Sequence, residues 1–212
     1  MKNVRIWFSK TGTARYISHL DLARCMSRAL RRAHLPVWYT EGFSPRIAMN
    51  FAVPLSLGFE SPRESMDIRL LEDVEKGDLL QRLNAGLPED VRAFDVTEPV
   101  MPVNDVAFAD YHLTFTGEGV CGALQALLAQ PEITVMKHSK KGDKPVDIRP
   151  YFEAASLIPL PEGCEVHCVL PAGNFGGINP MLLGEALRAA GCLFQLHVER
   201  RTLLTAEKTP FV

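Results

Sequence analysis

The sequence predicts an α+β protein made of two β-α-β-β-α-β halves. Three observations predict it. Short runs with period-two alternation, such as Val4/Ile6/Phe8 and Met66/Ile68/Leu70, have the pattern of half-buried strands. Between such runs stand windows of 3.6-residue periodicity, bounded by caps and breakers. The same order then recurs after Glu98-Pro99-Val100-Met101-Pro102, a stretch that reads as a linker because neither proline can donate to a ladder.

The first strand covers Val4 to Phe8, and Lys10-Thr11-Gly12-Thr13 turns the chain. A helix follows from about Ser18 to His34. Ser18 is its N-cap, Asp21 takes the third helical position where its carboxylate suits the positive end of the helix dipole, and Pro36 ends it. At about 100° per residue, Leu22, Met26, Ala29, Leu30 and Ala33 share one sector. Arg24, Arg28, Arg31 and Arg32 fall on the opposite side. Val37–Thr40 reads as a strand, Glu41-Gly42-Phe43-Ser44-Pro45 as a turn, and Ile47, Met49, Phe51 and Val53 alternate into another extended segment. Pro54 to Pro62 is predicted to be a loop. A second helix over about 75–86 carries Leu79, Leu80, Leu83 and Leu87 on one side, although Gly77 weakens its first turn. Val91 to about Thr97 closes the half.

In the second half, strands are predicted at Ala109–Phe115, Ile133–Lys137, Val146–Phe152, Glu165–Leu170 and Phe194–Leu204. Helices are predicted at Val120–Ala129 and about 180–190. Asn179-Pro180 gives the last helix its N-cap and first residue, and Gly191 stops it. Residue identity is not repeated between the halves; only the pattern is. Two tandem ferredoxin-like halves, 1–102 and 103–212, each with an antiparallel sheet, account for the chain.

Composition narrows function. A hydrophobic content of 47% with 23% charged residues is globular, and with no run of 18 apolar residues nothing is expected to span a membrane. The first residues lack a signal-peptide pattern, and five scattered cysteines do not form a disulfide framework, so a cytoplasmic location is expected. The net charge of −2 hides an asymmetry. Residues 1–50 carry nine Lys/Arg against two acids, while the remainder carries 14 basic and 23 acidic residues. From Tyr16 through Thr40 the only acid is Asp21. A helix face of one sign, extended by Lys10, Arg15 and Arg46, points to a polyanion such as RNA, or to an acidic protein surface. Trp7, Tyr16, Trp38, Tyr39 and Phe43 lie nearby, as base-stacking residues do, though core positions explain several of them.

Catalytic motifs are scarce. Ser18-His19-Leu20-Asp21 has the letters of a hydrolytic triad, but adjacent positions on one helical turn point apart. His19 falls near the apolar stripe and reads as a packed histidine, with a general-base role as the alternative. Cys164-Glu165-Val166-His167-Cys168 resembles a metal motif. On a strand, however, its thiols would lie about 13 Å apart at about 3.3 Å per residue, whereas zinc needs sulfurs at about 2.3 Å. No metal and no cofactor is therefore expected. The iron–sulfur spacing Cys-x-x-x-Cys-x-x-Cys is absent. Gly173, Gly176 and Gly177, leading into a helix, form either a plain connection or an anion-binding loop without Walker-type residues.

Several stretches together resemble one family: Arg15-Tyr16-Ile17-Ser18-His19-Leu20-Asp21-Leu22, Arg28-Ala29-Leu30-Arg31-Arg32-Ala33 and Glu41-Gly42-Phe43-Ser44-Pro45-Arg46, then Pro54-Leu55-Ser56-Leu57-Gly58 with Glu60-Ser61 and Met66-Asp67-Ile68. These resemble the radical SAM-linked proteins, a bacterial domain of unknown function that occurs alone or C-terminal to radical SAM proteins with a cobalamin-binding-type domain. The resemblance is specific over about residues 4–70, and Arg200-Arg201-Thr202 also suits it. The family's second proline after Gly-Phe-x-Pro is replaced here by Arg46-Ile47. The resemblance implies partnership with a radical SAM enzyme and supplies no catalytic residues. The expected role is an accessory or substrate-binding module that is not catalytic on its own. The rivals are a metal-independent RNA-processing or RNA-modifying enzyme using His19, and a protein-docking module without nucleic acid.

Overall fold

The computed structural model describes residues 1–137, 142–173 and 176–212. The chain forms two compact units, residues 1–106 with 205–212, and residues 107–204. Both are mixed α and β, with antiparallel sheets. Among the described residues, no helix is long and apolar enough to cross a membrane.

In the first unit the order is β1 (Lys2–Lys10), α1 (His19–Arg32), β2 (Met49–Phe51), β3 (Phe59–Leu70), α2 (Lys76–Asn84) and β4 (Val91–Thr97). β1 lies between β4 and β3, and β2 adds to β3, which gives the order β4-β1-β3-β2. Strand alternation sends Val4, Ile6 and Phe8 inward, where they meet Leu22, Met26, Ala29 and Leu30 of α1. Leu79 and Leu83 of α2 complete that core.

α1 is bounded as its sequence dictates. The Ser18 hydroxyl accepts the Asp21 N–H at 3.2 Å and donates to the Asp21 carboxylate at 2.8 Å. That bond, then Arg24, holds the Asp21 carboxyl below the usual carboxylate range. Ile17 and Leu22 bracket the cap with apolar contacts to the core. At the other end Leu35 donates to Leu30 O and His34 to Arg31 O, the paired bonds of a Schellman motif. Arg82 of α2 reaches across to donate to the Ala33 and His34 carbonyls, where the helix dipole is negative. His34 sits at φ +49°, a left-handed position that favours glycine. His34→Gly is expected to raise stability by about 0.5–1 kcal/mol, because relief of the left-handed strain exceeds the added freedom of the unfolded chain. Urea unfolding measures it.

The second unit follows as β5 (Phe108–Thr116), α3 (Val120–Leu128), β6 (Thr134–Lys137), β7 (Lys144–Asp147), β8 (Ser156–Leu160), β9 (Gly163–Pro171), α4 (Met181–Ala189) and β10 (Gln195–Leu204). Its sheet has the order β10-β5-β9-β8, and β6 and β7 form a separate hairpin. Tyr111, Leu113 and Phe115 of β5 and Cys164, Val166 and Cys168 of β9 are buried on one face.

Four details differ from the sequence reading. Val37–Thr40 forms only isolated bridges, Val37 to Leu70 and Tyr39 to Ile47, because Pro36 and the following turn leave too little chain for a ladder. The predicted 54–62 loop ends early, since β3 already starts at Phe59. Pro62 is tolerated there because the ladder slips between Phe8 and Lys10. Val146–Phe152 stays extended only to Asp147, and Pro150 then sets a 3-10 turn over Arg149–Phe152. β8 had no sequence signal because Pro159 interrupts it; as an edge strand it leaves that position's missing donor unneeded.

Candidate functional site

The capped, amphipathic α1 holds the predicted basic residues on its outer side. Arg24, Arg28, Arg31 and Arg32 are all exposed. Their engagements differ. Arg24 pairs with Asp21 at 2.8 Å, Arg31 donates to the Ser27 hydroxyl at 3.2 Å, and Arg32 donates to Gly86 O at 2.6 Å. Arg28 has no hydrogen bond or ion pair among the described residues. Leu20, 68% exposed, precedes Arg24 by one helical turn on the same stripe.

The residues expected to extend this surface are distributed elsewhere. Lys10 is 1% exposed, and its ammonium donates to the Arg15 and Phe59 carbonyls, so it offers no charge outward. Arg15 is half-buried, pairs with Glu60 at 3.2 Å and lies over the Tyr16 ring. Arg46 is exposed but lines a groove of about 750 Å³ with Asn3, Asn50, Asp67 and Arg69. Asn3, Asp67 and Arg69 project from the sheet face opposite to Val4 and Ile68, which pack with α1. The first unit thus carries one basic feature, the α1 stripe, and a separate groove where Arg46 and Arg69 are matched by Glu41 and Asp67. His19 opens α1 with its ring edge-on to Phe51, centroids 5.0 Å apart. Of the aromatics, Trp7 is buried, Arg69 lies over half-buried Trp38, and Tyr16, Tyr39 and Phe43 are exposed.

Residues 3–180 match the family described as uncharacterized protein conserved in bacteria, DUF2344. The chain belongs to this family. None of the curated proteins is similar to it. Among solved structures it is similar to that of an unknown protein from Galdieria sulphuraria, 13% identical, with 94% of this chain and 98% of that one covered. The TM-score of 0.28 is too low for that likeness to bear on fold or function.

Within this DUF2344 chain, several residues of the N-terminal stretches are held by bonds inside the first unit. Gly58, at φ +85°, donates its N–H to Arg15 O, Arg15 pairs with Glu60, and the Lys10 ammonium bridges the Arg15 and Phe59 carbonyls. Asp67 accepts two bonds from buried Arg5. Arg15, Gly58, Glu60 and Asp67 therefore brace the first unit.

The glycine loop lies partly outside the described residues, which exclude Asn174 and Phe175. Gly173 and Gly176 have positive φ. The Ile178 N–H bonds Pro171 O and the Met181 N–H bonds the Asn179 side chain, so neither is open to an anion. Lys137 donates to Gly177 O. Lys140 and Lys141 also lie outside the described residues.

One cluster escaped the sequence reading. In Cys164–Cys168, alternation turns the thiols inward, where the Cys121 thiol of α3 lies 3.1 Å from Cys164 Sγ. Burial pushes Cys164 and Cys168 up to about 12, so both stay thiols. The same alternation turns Glu165 and His167 to the other face, where the β5–β9 register sets His112 directly opposite His167. The signal was half present, as Glu-x-His on a strand. The third member lies 55 positions earlier than His167 and is reached only through strand pairing.

Proposed function

We propose that the chain is a cytoplasmic accessory or substrate-binding module that acts with a radical SAM enzyme and presents RNA, or another polyanion, on the outer stripe of α1. The observation that carries this reading is the row Arg24, Arg28 and Arg31, exposed along about 10 Å of one helix with Asp21 as the only acid on that helix. Such a row attracts phosphates by charge and releases counterions when it binds. Two ferredoxin-like halves, one in each unit, would form the scaffold, and the strand orders β4-β1-β3-β2 and β10-β5-β9-β8 support that reading. The radical SAM partnership rests on the resemblance of the signature residues.

A second reading, docking onto an acidic protein surface, is favoured by Leu20, an exposed apolar side chain on the same stripe. One experiment separates the two. Binding of a labelled single-stranded RNA is measured against salt for the wild type and for the variant carrying Arg24→Glu, Arg28→Glu and Arg31→Glu. Phosphate contacts by the stripe predict a large loss of affinity and a log–log salt slope shallower by about 2, at about 0.7 per single-strand contact. Affinity that ignores salt, or that survives the triple reversal, rejects polyanion binding. Co-purification of a partner enzyme that resists nuclease treatment favours docking.

A further inference from the structure

We propose that His112, Glu165 and His167 form a binding site for a divalent first-row transition cation, of which zinc is the simplest case. The site lies in the second unit, apart from the basic features of α1.

Its geometry follows from backbone register. His112 of β5 and His167 of β9 are Cα partners across an antiparallel ladder, so their side chains rise from the same face. Their ring centroids are 4.2 Å apart. Glu165, two residues before His167, projects from that face as well. Its Oε2 lies 3.2 Å from His112 Nε2 and 3.8 Å from His167 Nε2. One ligand atom from each of the three residues falls within 4.8 Å of the other two. A tetrahedral zinc with ligands at about 2.0–2.2 Å holds them about 3.4 Å apart. The two carboxylate distances bracket that value, so small torsional changes close the triangle.

The electronics point the same way. Both Nε2 atoms are shielded from solvent and have no hydrogen-bond partner among the described residues. A buried ring nitrogen left without a bond loses its hydration uncompensated, and two of them converging on one carboxylate need an explanation. A cation bound between them satisfies both lone pairs and neutralises the carboxylate. Glu199 of β10, the Cα partner of His112 on its other side, is paired with Arg201 at 2.9 Å, so that pair adds no net charge beside the site.

Ligand type selects the ion. Two imidazoles and one carboxylate suit zinc, cobalt, nickel or iron(II) and disfavour magnesium and calcium, which take oxygen ligands. Three protein ligands leave the fourth position to water, the pattern of an open site. Side-chain exposures of 22% for His112, 26% for Glu165 and 44% for His167 place the site close to the surface.

The rival is the thiol pair Cys121/Cys164 on the opposite face, and cobalt spectroscopy separates the two. The full chain, stripped with a chelator, is titrated with Co²⁺ and, in parallel, with Zn²⁺ by calorimetry. The expected result is saturation near one equivalent, with visible d–d bands and no thiolate charge-transfer band. Binding should weaken by more than the about 10–100-fold typical of outer-shell changes in His112→Gln and His167→Gln, and persist in Cys121→Ser. Circular dichroism checks folding, and Glu165→Gln replaces any histidine variant that does not fold. The proposal is overturned if neither ion binds, if the ligand variants bind as the wild type does, or if binding carries the thiolate band and disappears in Cys121→Ser.

Discussion

Replacing Arg5 with methionine is expected to lower the unfolding free energy by about 3–5 kcal/mol, the range for removing one partner of a buried ion pair. Arg5 is fully buried on β1, on the face opposite the helices. Its Nε and one Nη donate to the two Asp67 oxygens at 2.7 and 2.8 Å. The remaining donors reach Met101 O and Val212 O, and the guanidinium lies 4.3 Å from the Phe211 ring centre. One side chain thereby ties β3, the 98–102 stretch and the C-terminal residues to β1. Methionine fills part of the volume and leaves a carboxylate and two carbonyls without donors. Asp67 keeps some water, with 22% of its side chain exposed, which sets the loss toward the lower end. Guanidinium unfolding of the single variants and of Arg5→Met with Asp67→Leu tests this. The double variant should be less destabilised than the sum of the singles, because it removes the orphaned charge. A loss below about 1 kcal/mol for Arg5→Met would show that water takes over the three acceptors.

The second large effect is expected from Gly163→Ala. Gly163 is buried at the start of β9, the Cα partner of Thr116 in β5 and of Leu160 in β8. An added Cβ would overlap the Phe115 carbonyl oxygen and approach Thr116 Cα to 3.2 Å. Both are backbone atoms of a paired strand and cannot rotate away. The ladder has to open, at about 3 kcal/mol, the upper end of ordinary overpacking. The consequence reaches the cation site. Glu165 and His167 follow Gly163 on the same strand, so a shifted β9 moves them relative to His112. Unfolding and Zn²⁺ titration of the same variant should therefore both weaken. An alanine tolerated within about 0.5 kcal/mol would mean that the end of β9 can relax without disturbing its neighbours.

Local chemistry explains what was legible. The α1 cap at Ser18, its apolar stripe and its outward arginines depend on 3.6-residue periodicity and on groups within four residues, and all three appear in the structure where the sequence places them. The strands around Val4–Phe8 and Met66–Leu70 were readable for the same reason. Pro159 and Pro62 misled because proline signals a break, while an edge strand or an irregular ladder accepts it. Lys10 misled because charge counts along a sequence carry no information on depth; its ammonium is spent on two carbonyls inside the first unit.

The sequence by itself determined the α+β class, the four helices with most of the strands around them, and the basic outer side of α1, since each follows from periodicity, caps and breakers over short spans. Tertiary structure alone decided that Arg46 faces a groove away from that stripe, that Arg5 is an internal tie, and that His112 meets Glu165 and His167. Each of those depends on which strands become neighbours and in what register. Register is set by the burial of whole sheet faces, a sum over many distant residues that no local window contains.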